Sequence, residues 1–367
     1  MTTEDVAVKD EKTADALVGR LFEATIGMMD MMSVYLGDRL GLYRALHDGG
    51  PATAADVASR AGIDRRYALE WLEQQAVTGF LDVDDVSATA DERRFSLPDA
   101  YADPLLNLDS PYSIAPLPRS AVACAKVLPQ LMEAFRTGGG VGWADYGPDM
   151  IESQGDFNRP WLRGSLGQEL LPAIPGIHDR LVADPPARVA DVACGVGWAG
   201  ISIARAYPKV RVDGFDLDES SIELARQNAR DAGVADRVTF QVRDVAEAEA
   251  GAYDLAIIIE AVHDMTQPVG VLASIRRMLR PDGVALIADE KTEDTFTAPA
   301  SPAERLYYGF SVFTCLPVAM TGRPTAAIGT VMRADTMRRL GTEAGYQNVE
   351  RLDEPALDML RFYRMTP

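Results

Sequence analysis

The chain changes its hydrophobic rhythm twice. From about residue 14 to residue 46, apolar side chains recur at helical spacing (Leu17, Leu21, Phe22, Ile26, Met29, Val34, Leu36, Leu40, Leu42, Leu46), which predicts helix. The first dozen residues are charged and are expected to fray. The cluster Met28-Met29-Asp30-Met31-Met32 suits a core or a subunit contact, because methionine fills irregular gaps; a methionine-lined substrate tunnel is the alternative. Residues 52–83 read as helix, turn, helix and short strand. Thr53 caps a helix ending at Gly62, Asp64 caps a second over residues 65–78, and residues 79–83 open a hairpin whose partner lies near residues 94–97. That is a winged-helix pattern.

The stretch from residue 98 to 185 is helical in character, broken at Gly138-Gly139-Gly140 and rich in aromatic residues (Trp143, Tyr146, Phe157, Trp161). From Arg188 the period shortens. Strands are expected near residues 188–193, 210–215, 237–243, 253–260 and 283–289, with helices between them and the turn Arg280-Pro281-Asp282-Gly283 before the fifth. A last helix is expected near 334–344 and two more strands near 347–353 and 358–364. The fold class is therefore α/β: a doubly wound, mostly parallel, seven-stranded Rossmann-like sheet behind a mainly α N-terminal winged-helix domain. Three regions are expected: 1–110 as the N-terminal helical and winged-helix domain, 111–185 as a helical connector, and 186–367 as the α/β domain, with an insertion at 291–332.

Composition narrows the partners. At 367 residues the chain is too long for one small core and suggests two domains. A net charge of -19 argues against nucleic acid or an anionic membrane, since phosphate binding needs clustered Lys and Arg. The second helix of the winged-helix segment carries Arg65 and Arg66 but also Glu70 and Glu73, so it lacks a basic face, and dimerisation is favoured over DNA binding. The three cysteines (Cys124, Cys194, Cys315) lack metal-ligand spacing and read as buried thiols in a reducing compartment. The polar, acidic N-terminus and the lack of a long apolar run lead to the expectation of a cytoplasmic protein without a signal peptide or membrane span.

The chemistry is concentrated in one stretch. The apolar strand Val189–Val192 carries Asp191 and runs into the glycine turn Gly195-Val196-Gly197, directly before a helix. A second strand ends at Asp216, 19 residues beyond Gly197, and a third closes at Asp244. Glycines let a backbone approach a ligand, and an acid at a strand tip can accept two ribose hydroxyls. Gly195, Gly197 and Gly200 also spell the dinucleotide fingerprint, but Asp191 inside the strand and the third acid favour an amino-acid-bearing nucleoside over a nicotinamide. With these residues the run from about 187 to 291 resembles the class I S-adenosylmethionine-dependent methyltransferases.

That resemblance implies S-adenosyl-L-methionine as cofactor and S-adenosyl-L-homocysteine as product. Asp191 and the backbone of Gly195, Val196 and Gly197 would take the methionine part, Asp216 the ribose and Asp244 the adenine, with Leu217 and Val245 flanking the ring; Glu260 falls at the same edge. The sequence Val262-His263-Asp264-Met265 is similar to the His-Asp-Trp element of small-molecule O-methyltransferases, with Met265 in place of tryptophan. In that family the histidine is the catalytic base, which would make His263 the base and Asp289 or Glu290 the group that orients it. Those enzymes also use an N-terminal module of this kind to form an intertwined homodimer.

Some α-keto-acid C-methyltransferases of related fold hold a metal with a His-Asp pair and a downstream histidine. No histidine follows His263, Cys315 would be an unusual third ligand, and no metal is expected. His47 reads as a surface or cap residue and His178 as structural. Acceptor contacts are expected from Trp143, Tyr146 and Trp161 and from the insertion's Tyr307, Tyr308, Phe310, Phe313 and Met320. An apolar, aromatic-lined pocket with one base suits O-methylation of a small hydroxylated, aromatic or polyketide-like metabolite. C- or N-methylation is the enzymatic alternative, and a cofactor-sensing DNA regulator the non-enzymatic one.

Overall fold

The computed structural model describes residues 12–353 and 357–367, so the expected fraying of the first dozen residues falls, except for Lys12, outside the described residues. The chain forms two compact units, one ending at Pro118 and the other beginning at Arg119.

In the first unit the long helical pattern is two helices, α1 (Ala14–Arg39) and α2 (Leu42–Gly49), separated at Gly41. Gly41 sits at φ 67°, a left-handed conformation that ends one helix and starts the next without a Cβ penalty. His47 is exposed in the last turn of α2. The helix α3 (Ala54–Ala61) opens with a capping box between Thr53 and Asp56, and α4 (Arg65–Val77) is capped by Asp64, whose side chain accepts from the amides of Arg66 and Tyr67. The wing is a minimal hairpin, β1 (Asp82–Val83) against β2 (Phe95–Ser96), with Val83 opposite Phe95. Leu42, Tyr43, Leu46, Val57, Trp71, Leu72, Leu81 and Phe95 form its core. Arg65 is paired with Asp91 and Arg66 with Glu70, so the arginines of α4 are neutralised locally.

The second unit is built on a seven-stranded sheet: β3 (Arg188–Val192), β4 (Arg211–Asp216), β5 (Val238–Val242), β6 (Tyr253–Ile259), β7 (Leu279–Glu290), β8 (Asn348–Leu352) and β9 (Leu360–Thr366). Their order is β5-β4-β3-β6-β7-β9-β8. The inner pairs are parallel, and β9 runs antiparallel to both neighbours. Alternation along the buried strands sends Leu255 and Ile257 to one face and Ala256 and Ile258 to the other, so both faces carry a core. The expected turn Arg280–Gly283 lies within β7 as an irregularity: Tyr253 pairs with Leu279 while Leu255 pairs with Val284. The strand order reverses direction beside β3, the position where ligands bind outside the carboxyl ends of open α/β sheets.

Candidate active site

A cavity of about 610 Å³ opens at the carboxyl ends of β3, β4 and β6. All nine residues expected to contact the cofactor line it: Asp191, Gly195, Val196, Gly197, Asp216, Leu217, Asp244, Val245 and Glu260. Each arrives there for a local reason. Gly197, at φ 84°, caps the helix Trp198–Ala206, and a Cβ on it would stand 2.5 Å from the Phe240 ring. Asp216 ends β4; its Oδ2 accepts from the Gly195 amide at 2.8 Å and its Oδ1 from the Asp218 amide at 2.9 Å. The acid thereby ties the glycine turn to the neighbouring strand. Asp244 caps the turn after β5 through the Ala246 amide.

Asp191 has a structural task beside the one the sequence suggested. It is buried, and its Oδ2 accepts from the Gly200 amide at 2.8 Å, which holds the start of the helix against β3. Burial raises its pKa to about 7, the Gly200 hydrogen bond opposing and Asp216 adding to the shift.

The three residues expected to carry catalysis, His263, Asp289 and Glu290, are brought together, but they are not among those that line the cavity. His263 is only 2% exposed, and Asp264, Glu260 and Met265 face the cavity where it does not. The short helical turn after β6 carries His263, and its Nδ1 faces the carboxylates at the end of β7. There His263 Nδ1 lies 2.9 Å from Asp289 Oδ1 and 3.1 Å from Glu290 Oε2; the hydrogen bond goes to Asp289. Burial alone would depress the imidazole, but the charges of Glu290 and Asp289 outweigh it and raise its pKa well above the ordinary value. Three carboxyl groups around it are raised mainly by burial: Glu260 and Glu290 to about 7, Asp264 to about 6.

Of the expected acceptor contacts, Trp143 alone lines this cavity. Tyr146 is buried with its hydroxyl on the Phe313 carbonyl, and Trp161 donates to Asn158 Oδ1. Tyr307 is buried and hydrogen-bonds the Met359 carbonyl, while Tyr308 packs edge-on against Phe296. Phe310, Phe313 and Met320 also stand away from this cavity. The insertion reaches this cavity through Val318 and Thr321 and not through its aromatic residues. His178 is structural, its Nδ1 3.1 Å from the Tyr207 hydroxyl.

The sequence reading missed one wall. Ile151, Gln154, Gly155, Asn158 and Leu162 face the cavity from the helix Pro148–Trp161 and the residue after it. Their spacing of three to four residues is the signal that could have found them: an apolar stripe interrupted by two amides. Gly155 lets this helix close on the glycine turn, since a Cβ there would meet Val196 Cγ2 at 2.2 Å. Gln154 Nε2 and Asn158 Nδ2 both donate to Glu260 Oε2, at 2.7 and 2.6 Å.

Among the described residues, two groups bring three potential metal ligands within 4.8 Å of one another: His263, Asp264 and Cys315, and His263, Asp289 and Glu290. In the second, Nδ1 is committed to Asp289. The three cysteines are free, and no helix among the described residues is long and apolar enough to cross a membrane.

Comparison with known proteins matches this architecture. Residues 183–330 fit the family model described as "Methyltransferase domain", and residues 25–106 the "Rv2258c-like winged HTH domain". A ubiquinone/menaquinone biosynthesis C-methyltransferase from Citrifermentans bemidjiense is 31% identical over 133 residues, covering 35% of this chain and 54% of that protein. A ubiquinone biosynthesis O-methyltransferase from Neisseria meningitidis is 33% identical over 103 residues, covering 28% and 43%. The chain thus spans about half the length of the curated relatives it matches, or less. The crystal structure of human N-acetylserotonin methyltransferase in complex with SAM superposes with a TM-score of 0.69 at 17% identity, over 97% of this chain and 99% of that one, a likeness of fold.

Proposed function

We propose that this chain, which joins a winged helix-turn-helix domain to a methyltransferase domain, transfers a methyl group from S-adenosyl-L-methionine to a hydroxyl of a small metabolite. One observation carries the reading: a glycine turn and the strand-tip acids Asp216 and Asp244 converge on a single cavity large enough for a nucleoside cofactor and a small acceptor. The donor set fits this cofactor. The Asp216 carboxylate, already oriented by two backbone amides, has lone pairs left for the ribose hydroxyls, and Leu217 and Val245, which line the same cavity, would flank the adenine. When bound, the cofactor supplies an electrophilic methyl group on a sulfonium that leaves as a neutral thioether.

The chain's residues then have to align the acceptor, exclude water and accept its proton. Glu260, His263, Asp289 and Glu290 form the acid–base cluster for the last task. On the acceptor side the wall is Trp143, Ile151, Leu162 and Val318 with two amides and two acids, which favours an uncharged, partly apolar acceptor over an anionic one. Arg243, the basic residue on the wall, stands next to Asp244 at the adenine end.

The reading includes a homodimer in the cytoplasm, with no nucleic-acid partner. The helix α1 exposes Leu17, Val18, Leu21, Phe22, Met28 and Met29, between 47% and 66% each, a continuous apolar surface that water does not favour. A second copy of the chain, presenting the same face, suits it by two-fold symmetry. L21E/F22E should convert a dimer to a monomer in light scattering; an unchanged mass would refute this interface.

Calorimetric titration with S-adenosylhomocysteine, with NAD as control, tests the cofactor. Binding of the first alone, followed by transfer of labelled methyl to a panel of uncharged phenols, enols and amines, is the expected result. Binding of NAD instead would overturn the proposal.

A further inference from the structure

The acid–base cluster has one member on the cavity wall and in contact with the acceptor-side helix: Glu260. It follows β6 directly and adopts φ 51°, a left-handed conformation uncommon for a residue with a Cβ. The backbone is held there by the amide of Glu260 on the Ala288 carbonyl at 2.8 Å. Strain of this kind costs on the order of 1–3 kcal/mol and persists where the surroundings fix it. Here it turns the side chain away from the strand's path and toward the helix Pro148–Trp161, whose two amides grip one oxygen, Oε2. Trp161 in turn fixes Asn158 by donating to its Oδ1 at 3.0 Å. Both donors fall on Oε2, so Oε1 takes no part in the clamp.

His263 is buried and hydrogen-bonded to Asp289. Burial and then the charge of Glu290 on β7 favour the neutral form of Glu260, while the Asn158 amide, the charge of His263 and the Gln154 amide oppose them. Asp264 also borders the cavity, and its carboxylate lies within 4.8 Å of His263 and Cys315, but neither amide of the helix Pro148–Trp161 donates to it.

We infer that Glu260 is the catalytic residue that meets the acceptor, its carboxylate taking the hydroxyl proton as the methyl group is transferred, and that His263, buried against Asp289, is a positioning residue and not the base. The inference rests on the methyl-transfer reading above. In the step, an oxygen lone pair of the acceptor forms the bond to the methyl carbon. The carbon–sulfur bond breaks with its electron pair remaining on sulfur. The O–H proton passes to Glu260, leaving it neutral, and is then released to solvent. A carboxyl that titrates near neutral pH suits a base working at that pH.

The test uses the full-length protein with the phenol turned over best in the panel. E260Q keeps the size of the side chain and an oxygen for both amides. It should lose roughly 10²–10⁴-fold in kcat and the rising limb of the pH profile, with S-adenosylhomocysteine affinity within about threefold. H263N should keep that limb but move it upward by roughly one pH unit, because Glu260 loses its neighbouring cation. Independently of turnover, difference infrared titration of the S-adenosylhomocysteine complex should show a protonated-carboxyl band near neutral pH that E260Q removes. Loss of the limb in H263N with retention in E260Q would overturn the inference and make His263 the base. A collapse of S-adenosylhomocysteine affinity in E260Q would overturn it in favour of a cofactor contact. Failure of the wild type to bind S-adenosylhomocysteine would instead sink the methyl-transfer reading itself.

Discussion

The two halves of the cavity were built under different rules. In the cofactor half, the backbone does most of the work: a glycine turn, the ends of three adjacent parallel strands and an acid at each tip. All nine residues expected there from sequence reach one cavity. In the acceptor half, side chains from a separate helix and from a buried cluster make the wall, and only Trp143 of eight expected contacts lines it. Residues set by local geometry stay where the sequence puts them. Residues set by packing between distant segments can turn either way.

The sharpest way to break this comparison is at Asp216. D216A removes the carboxylate that both ties Gly195 and faces the ribose space, and S-adenosylhomocysteine should bind at least about 100-fold more weakly by calorimetry, the worth of one or two hydrogen bonds to a charged group. Unchanged affinity would mean that the cofactor half is read wrongly.

Asp191 gives the next effect, in stability rather than binding. Its folded pKa is raised to about 7 from 3.8, so its contribution to stability is complete below pH 3.8 and is lost as pH rises through 7. D191N, which keeps an oxygen for the Gly200 amide but never ionises, should therefore gain on the wild type between pH 4 and 8, by up to about 4 kcal/mol. Parallel denaturant midpoints across that range would show that Asp191 stays ionised in the folded state.

The smallest effects belong to the acceptor side. W143A should raise KM for the panel phenol by roughly tenfold, the cost of one apolar contact of one to a few kcal/mol, with kcat nearly kept. F313A should leave KM within about twofold, since Phe313 stands off this wall. A larger effect for F313A than for W143A would return the insertion to the role of acceptor lid.

Much of the fold was legible from residues alone. Period-two and continuous apolar runs predicted all seven strands of the sheet to within a few residues, and Thr53, Gly62 and Asp64 marked the ends of helices that the structure caps in those places. The break within the helical pattern of residues 14–46 was harder, because Gly41 ends one helix while the apolar spacing runs on through it. The turn at Arg280–Gly283 looked like a strand boundary by composition, yet pairing with β6 absorbs it as an irregularity.

The sequence by itself determined the architecture of the sheet and the gathering of the glycine turn and strand-end acids at one cavity, because both follow from short-range rules: strand period, glycine at a positive φ, an acid at the end of a strand. It also brought His263, Asp289 and Glu290 onto neighbouring strand ends. Only the tertiary structure decided which of the acid–base groups faces the cavity. That choice depends on the left-handed backbone at Glu260, on the burial of His263 against Asp289, and on a helix about 100 residues earlier in the chain that supplies two amides to one carboxylate oxygen. Side-chain direction at a strand's end is set by the partners that satisfy buried polar atoms, and those partners are neighbours in space, not in sequence.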